Sequence, residues 1–155
     1  MSLDGNPLLH VTDAGLFCEQ GGFFIDPWQP VEHAVVTHAH ADHLRRGCGA
    51  YLVARDSAFV TRSRLDEGAL VETINYGETR EINGVRVSLH PAGHILGSAQ
   101  VRVEYHGEIW VVSGDYKTDP DCSCQPFEPV RCHVFVSECT FGLPVYRWPK
   151  PDTDE

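Results

Sequence analysis

The chain has 155 residues, of which 42% are hydrophobic, and its 22 acidic and 12 basic side chains give a formal net charge of −10. This length and apolar content predict one globular domain with a sizeable core, and no stretch approaches the roughly 20 apolar residues of a membrane span. The negative charge argues against a simple DNA-binding module, which usually has a basic footprint. It argues less against a metalloenzyme, whose carboxylates bind cations.

Short apolar runs alternate with turn signals along most of the chain, a pattern that predicts β-strands. The nine predicted strands are Leu8–Thr12, Gly22–Ile25, Ala34–Thr37, Tyr51–Ala54, Val71–Asn75, Val85–His90, Gln100–Tyr105, Ile109–Ser113 and His133–Ser137. Asn83-Gly84 and His106-Gly107 are typical of tight hairpin turns, so the strands on either side of each pair should be antiparallel partners.

One helix is predicted from Asp56 to Arg64, a segment without turn residues. Asp56 or Ser57 would be its N-cap, and Ala58 and Phe59 would face the core. Residues 149–155 combine prolines with capping and acidic residues, which is typical of a helix start. We therefore expect one domain over 1–148, the start of a truncated helix or a linker over 149–155, and a chain that is the N-terminal piece of a longer protein.

The cysteines are irregularly spaced, and Met1–Val11 lacks the basic and apolar regions of a signal peptide. We therefore expect reduced thiols and a cytoplasmic protein. The six cysteines are Cys18, Cys48, Cys122, Cys124, Cys132 and Cys139.

The strongest chemical signal is His38-Ala39-His40-Ala41-Asp42-His43, directly after the apolar run 34–36. In an extended segment, side chains two positions apart point the same way, so His38 and His40 can reach one metal ion. A turn would then present Asp42 and His43 to a second ion close by. Such a cluster of imidazole and carboxylate groups at ligand spacing favours metal binding over coincidence.

Other acidic and imidazole side chains follow predicted strands in the same way. His94 follows Val85–His90 and Asp115 follows Ile109–Ser113, while Asp26 and Glu138 also come just after apolar runs. If these strands run in one direction, their ends form one edge. The two oxygens of Asp115 would suit a bridge between two cations. Gly93, Gly97 and Gly114 either allow close backbone approach or simply form tight turns.

The series formed by the 38–43 motif, His94 and Asp115 resembles the metal-binding series of the metallo-β-lactamase superfamily. Segments 91–99, 113–117 and 137–142 resemble its nucleic-acid-processing branch, the β-CASP nucleases. Segments 24–28, 126–133 and 140–148 look like the bacterial DNA ligase-associated exonucleases. The likeness covers nearly the whole chain.

The resemblance implies an α+β fold, the N-terminal and therefore incomplete part of an αββα sandwich. It implies cleavage of phosphodiester bonds at DNA ends by a hydroxide that two metal ions activate, with a DNA ligase as a possible partner. Imidazole-rich ligation favours zinc, with manganese as the alternative. The resemblance implies that His38, His40 and His94 bind a first ion, that Asp42 and His43 bind a second, and that Asp115 bridges the two. It also implies that Asp26 supports the ligands and that Glu138 is the acidic residue that follows the fourth metal motif.

Three alternatives stay open. The substrate could be RNA, or the same ions could polarise the carbonyl of a thioester, lactone or β-lactam. The chain could also be an inactive fragment, because the family's downstream histidines and inserted nucleic-acid clamp have no counterpart in this sequence. Lys117 is a candidate phosphate contact, whereas we expect Tyr146 and Trp148 to cover a core edge. A solvated surface is expected for Arg45, Arg46, Arg55, Arg62 and Arg64.

Overall fold

The computed structural model describes residues 7–147, which form eleven short strands, a 3₁₀ turn and one α-helix. The elements in chain order are β1 (His10–Thr12), β2 (Gly15–Cys18), β3 (Phe23–Ile25), β4 (His33–Val35), β5 (Ala50–Ala54), the 3₁₀ turn (Arg55–Ser57), α1 (Ala58–Arg64), β6 (Leu70–Ile74), β7 (Thr79–Ile82), β8 (Val85–Pro91), β9 (Ala99–Tyr105), β10 (Glu108–Val112) and β11 (Val134–Val136).

The strands form two sheets that pack face to face. The first has the order β1-β2-β3-β4-β5-β6, and β3 to β6 run parallel; the second has the order β11-β10-β9-β8-β7. One apolar core lies between them, in which Phe23, Ile25 and Val35 of the first sheet pack with Val87 and Leu89 of the second. Because side chains alternate across a strand, each sheet contributes every second residue to this core.

A second apolar cluster covers the outer face of the first sheet. Val36, Tyr51 and Val53 pack there with Leu44 of the 39–48 loop and with Leu65, just after α1. On the outer face of the second sheet lies the irregular segment 117–133. Gln100 Nε2 donates to the Glu128 carbonyl (2.7 Å), and the Glu128 N–H donates to the Pro91 carbonyl at the end of β8 (3.1 Å). The described residues therefore form a two-sheet core with one short helix outside it.

All nine predicted strands are present, with ends within two residues of the predicted ones. Both hairpin turns are confirmed: β9 pairs with β10 as predicted, whereas the strand that pairs with β8 across Asn83-Gly84 is β7, which was not predicted. Asn83 and Gly84, like His106 and Gly107, have positive φ, as a two-residue type I′ turn requires. The sequence pattern missed β2 and β7. Residues 79–81 of β7 are exposed polar side chains, so this edge strand has no apolar alternation to reveal it.

The predicted helix is shorter than expected, and a different face of it is buried. Residues 55–57 form the 3₁₀ turn, and Ser57 is the N-cap of α1 without a side-chain capping bond. The prediction that Phe59 faces the core is wrong, because its side chain is 83% exposed. Thr61 is buried instead, four residues after Ser57 on the same helix face, and the two hydroxyls lie 3.1 Å apart. This mutual hydrogen bond lets two polar residues take the inner face.

All six cysteines are free thiols, as expected. No helix among residues 7–147 has both the length and the apolar character needed to cross a membrane. The predicted helix start over 149–155, and Trp148, lie outside the described residues.

Candidate metal centre

The strands that precede the predicted site residues share a direction within each sheet. In the first sheet β3 and β4 are parallel. In the second, β8 and β10 both run antiparallel to β9 and so share a direction, and β11 is parallel to β10. The segments after these strands carry Asp26, the 38–43 motif, His94, Asp115 and Glu138. Within each sheet, these segments therefore leave the strands at the same edge.

Four of these side chains converge on one point: His38, His40, His94 and Asp115 each offer a ligand atom, and all four atoms lie within 4.8 Å of one another. His40 Nδ1 lies 3.0 Å from His38 Nε2 and 3.4 Å from His94 Nε2. Asp115 Oδ2 lies 3.8 Å from His38 Nε2 and 3.6 Å from His94 Nε2. Both sheets contribute, since His38 and His40 follow β4 whereas His94 and Asp115 follow β8 and β10.

This donor set fits a small divalent ion. Four ligands about 2.0–2.2 Å from a tetrahedral zinc ion are about 3.4 Å from one another, and the four distances just given scatter around that value. Three imidazoles and one carboxylate are also a ligand set that zinc favours. The described residues therefore fit one ion without rearrangement of the backbone.

A second set of side chains lies on the other side of Asp115. Asp115 Oδ1 is 3.3 Å from His43 Nε2, and Asp42 Oδ2 is 3.7 Å from the same nitrogen. The Asp42 side chain is 78% exposed, which leaves it free to turn towards an ion. One oxygen of Asp115 thus faces the imidazoles of His38 and His94 and the other faces the imidazole of His43, an arrangement that a bridging carboxylate needs.

Asp26 lies behind this second set and organises it. Its Oδ1 accepts the backbone N–H of Thr37 (2.8 Å), and its Oδ2 lies 2.5 Å from Thr37 Oγ1 and 2.7 Å from His43 Nδ1. The Asp26 backbone has a φ of 44°, rare for a residue other than glycine. Such unfavourable backbone conformations concentrate at functional sites. Asp26 therefore positions His43 instead of facing the four-residue cluster.

Burial and neighbouring charges set the protonation of the histidines. Burial, together with the nearby His43 and His40, lowers the pKa of His38 to about 2, so this imidazole is neutral and able to bind a metal. Burial also lowers the pKa of His94. Burial acts to lower the pKa of His43 as well, but the hydrogen bond to Asp26 and the charges of Asp26, Asp115 and Asp42 outweigh it and raise that pKa. A cation at this position would have to displace the proton.

Glycines let the backbone of the site approach closely. A Cβ on Gly114 would lie 2.6 Å from Thr37 Cβ, and one on Gly93 would lie 2.9 Å from the Phe127 nitrogen. Gly93, Gly97 and Gly114 also have positive φ. Both sequence interpretations, close approach and tight turn, therefore hold at these positions.

Some predicted residues lie apart from the cluster. Glu138 accepts the Tyr116 N–H (3.3 Å) and makes no hydrogen bond or ion pair with the six predicted ligands among residues 7–147, but its charge acts to raise the pKa of His94. Lys117 lies 3.5 Å from Asp121, and Tyr146 is exposed, which makes the expectation that it covers a core edge wrong. Arg46, Arg55 and Arg62 are exposed and pair with other surface groups, as a solvated surface would. Arg64 differs from this expectation, because it donates to the Ala39 carbonyl inside the 38–43 motif. The sequence predicts no role for Thr37, because the contacts of this residue depend on tertiary structure.

A cleft of about 440 Å³ opens beside the second set of ligands. Val11, Leu16 and Trp28 line its apolar side, and the Trp28 side chain is 55% exposed. Asp42, Asp115 and Glu138 line its polar side. A ligand in this cleft would therefore meet an apolar wall next to the predicted metal ligands.

The chain resembles curated proteins over part of their length. It is 34% identical over 138 residues to a protein of Opitutus terrae named probable DNA ligase, a match covering 87% of this chain and 13% of that protein. It is 30% identical over 92 residues to the endoribonuclease ysh1 of Aspergillus fumigatus, covering 57% of this chain and 11% of the relative. The chain thus spans roughly a tenth of the length of these relatives. No protein-family model matches it.

Solved structures share the fold. A metallo-β-lactamase of Cronobacter sakazakii with a mutated HARLDQ motif superposes with a TM-score of 0.51 at 13% identity, over 71% of this chain and 56% of that one. A mutant of the CmlA β-hydroxylase superposes with a TM-score of 0.53 at 17% identity, over 73% and 31%. Together with the nuclease and ligase relatives, these likenesses show that the chain belongs to the metallo-β-lactamase superfamily, in its β-CASP branch.

Proposed function

We propose that the chain is the metal-binding part of a phosphodiesterase that uses two divalent ions to process DNA ends. The observation that carries the proposal is the position of Asp115. Its Oδ2 completes a set of four donors with His38, His40 and His94, and its Oδ1 faces His43. One carboxylate shared by two neighbouring sets of ligands suits a site for two ions.

Two divalent ions bound here would supply Lewis acidity and an activated water for attack on phosphorus. The chain's own residues contribute orientation. His38, His40 and His94 would hold one ion, Asp42 and His43 the other, and Asp115 would contact both. Asp26 and Glu138 are proposed as supporting acidic residues, Asp26 through its hydrogen bonds to Thr37 and His43.

The cleft supports a nucleic-acid substrate. Its carboxylates repel a phosphate until cations are bound, so phosphate binding and ion binding should be coupled. Its apolar wall carries the exposed indole of Trp28, and bases of single-stranded ends stack on such aromatic groups. The base and the phosphate of one nucleotide would then meet different walls of the same cleft.

DNA is proposed over RNA because the match to the relative named DNA ligase covers more of the chain than the match to the endoribonuclease, 87% against 57%. The endoribonuclease likeness makes RNA the second candidate. An association with a DNA ligase, and a cytoplasmic location, belong to the same proposal. So do zinc as the resident ion, with manganese as the alternative, and an αββα sandwich to which the two described sheets would contribute.

Metal binding and strand cleavage test this proposal together. Zinc and manganese titrations of the purified chain should give two ions per chain, and end-labelled DNA and RNA oligonucleotides report cleavage, its direction and the preferred sugar. His94→Ala or Asp115→Ala should abolish turnover with little loss of folding. His33→Ala is the matched control, because His33 is an exposed imidazole on β4. Full turnover in either ligand variant would refute the proposed centre. Ion binding without cleavage would favour the alternative of an inactive fragment.

A further inference from the structure

Thr37 occupies the point where the two groups of predicted ligands meet. It lies two residues after β4 and is 1% exposed. Its N–H donates to Asp26 Oδ1 (2.8 Å), its carbonyl accepts the Ala99 N–H (2.8 Å), and Gly114 leaves no space beside its side chain. The Thr37 hydroxyl is therefore held in one position.

The hydrogen bonds of this hydroxyl have only one consistent direction. A carboxylate can only accept, so Thr37 Oγ1 donates its single hydrogen to Asp26 Oδ2 at 2.5 Å. Thr37 Oγ1 also lies 3.1 Å from His38 Nδ1. Because its single hydrogen already points to Asp26, this oxygen can only accept a hydrogen bond from His38 Nδ1. His38 therefore carries its proton on Nδ1.

This tautomer places the lone pair of His38 on Nε2, the nitrogen that faces His40 and Asp115. The same Asp26 oxygen accepts from His43 Nδ1, so Nε2 is the His43 nitrogen that faces Asp115. The chain His38–Thr37–Asp26–His43 thus orients one imidazole from each group of ligands.

We propose that the Thr37 hydroxyl is a positioning group of the metal centre: it selects Nε2 of His38 as the ligating nitrogen and links that histidine to the carboxylate that holds His43. Without the hydroxyl, an Nδ1–H on His38 would be buried without an acceptor, which favours the opposite tautomer and places a hydrogen on the ligating nitrogen. The inference rests on the metal centre proposed above.

The experiment compares Thr37→Val, which keeps the shape but removes the hydroxyl, with Thr37→Ser, which keeps the hydroxyl. Cobalt and zinc titrations of the purified 155-residue chain give the affinity, and ¹⁵N spectra of the imidazoles in the metal-free chain give the tautomer of His38. Thr37→Val should bind about 10- to 100-fold more weakly, the usual effect of removing a group that orients a ligand. Thr37→Ser should bind within about threefold of the unsubstituted chain.

Thr61→Val is the matched control, because Thr61 is equally buried and hydrogen-bonded but lies in α1; it should leave cobalt affinity unchanged. The inference is overturned if Thr37→Val keeps both the affinity and the Nδ1–H tautomer, or if Thr37→Ser binds as weakly as Thr37→Val. Failure of the proposed function is a separate outcome, in which the unsubstituted chain binds no ion although His38 shows the Nδ1–H tautomer.

Discussion

Replacement of Gly114 by alanine should destabilise the chain in two separable ways. Gly114 has a φ of +56°, so any Cβ there adds about 1 kcal/mol of backbone strain. The new methyl group would also lie 2.6 Å from Thr37 Cβ and 2.7 Å from Thr37 Oγ1. Thr37 is held by its hydrogen bonds and cannot move aside, so overpacking should add about 1–3 kcal/mol. The expected total loss is about 2–4 kcal/mol.

Gly107→Ala separates the two contributions. Gly107 also has a positive φ, +83°, but nothing lies within 4 Å of a Cβ built there, so only the strain of about 1 kcal/mol applies. Urea unfolding of both variants is measured with a chelator present, so that ion binding does not contribute. With an m-value of about 2 kcal/mol per M, the Gly114 variant should unfold about 0.5–1.5 M earlier than the Gly107 variant. Equal midpoints would refute the close packing of Gly114 against Thr37.

Four further results are expected. Tyr51→Phe should cost about 1–3 kcal/mol in urea unfolding, because it leaves the Cys48 N–H and the Arg45 carbonyl without the phenol that bridges them. Burial raises the pKa of Tyr51 to about 12. The contribution of the neutral phenol to the free energy of unfolding should therefore be complete below its ordinary pKa near 10 and be lost as pH rises through 12. A contribution that is already lost at acidic pH would contradict this. The hydrogen bond from Arg102 lowers the pKa of Glu104. The ionised Glu104 should therefore stabilise the folded chain above the unfolded pKa near 4.3, and this stabilisation should be lost as pH falls below that value. A Glu104→Gln variant whose acid unfolding matches that of the unsubstituted chain would argue against this. Zinc at 100 times its dissociation constant should stabilise the chain by about 2.7 kcal/mol, or about 5–10 °C in melting temperature, and a chelator should reverse the shift; no shift would speak against binding to the folded chain. Phe59→Ser should change the free energy of unfolding by less than about 0.5 kcal/mol because the ring is exposed, and a loss above about 2 kcal/mol would show that the ring is covered.

The sequence predicts most of this architecture where the information is local. Asn83-Gly84 and His106-Gly107 determine their hairpins because both residues of a type I′ turn need positive φ. The positions of His38, His94 and Asp115 follow from a simple regularity, since polar residues just after strands that run in the same direction lie at one edge of their sheet, and the packing of the two sheets brings the two edges together.

What the sequence did not predict depends on tertiary contacts or on segments too short to carry a pattern. The seven residues of α1 make only two turns, too few for periodicity to decide between Phe59 and Thr61 as the buried side chain. Residues 79–81 of β7 face solvent and lack alternation. The role of Thr37 arises from Asp26, eleven positions earlier, and no spacing rule connects the two.

The cluster takes two ligands from each sheet, so an ion bound there would act as a crosslink between the halves of the sandwich. Separation of the sheets would require release of the ion, and the ion's affinity would include part of the free energy that packs one sheet on the other. Substitutions deep in the core, far from any ligand, should therefore change how tightly the chain retains its ions, and loading with ions should slow amide exchange in the edge segments of both sheets at once.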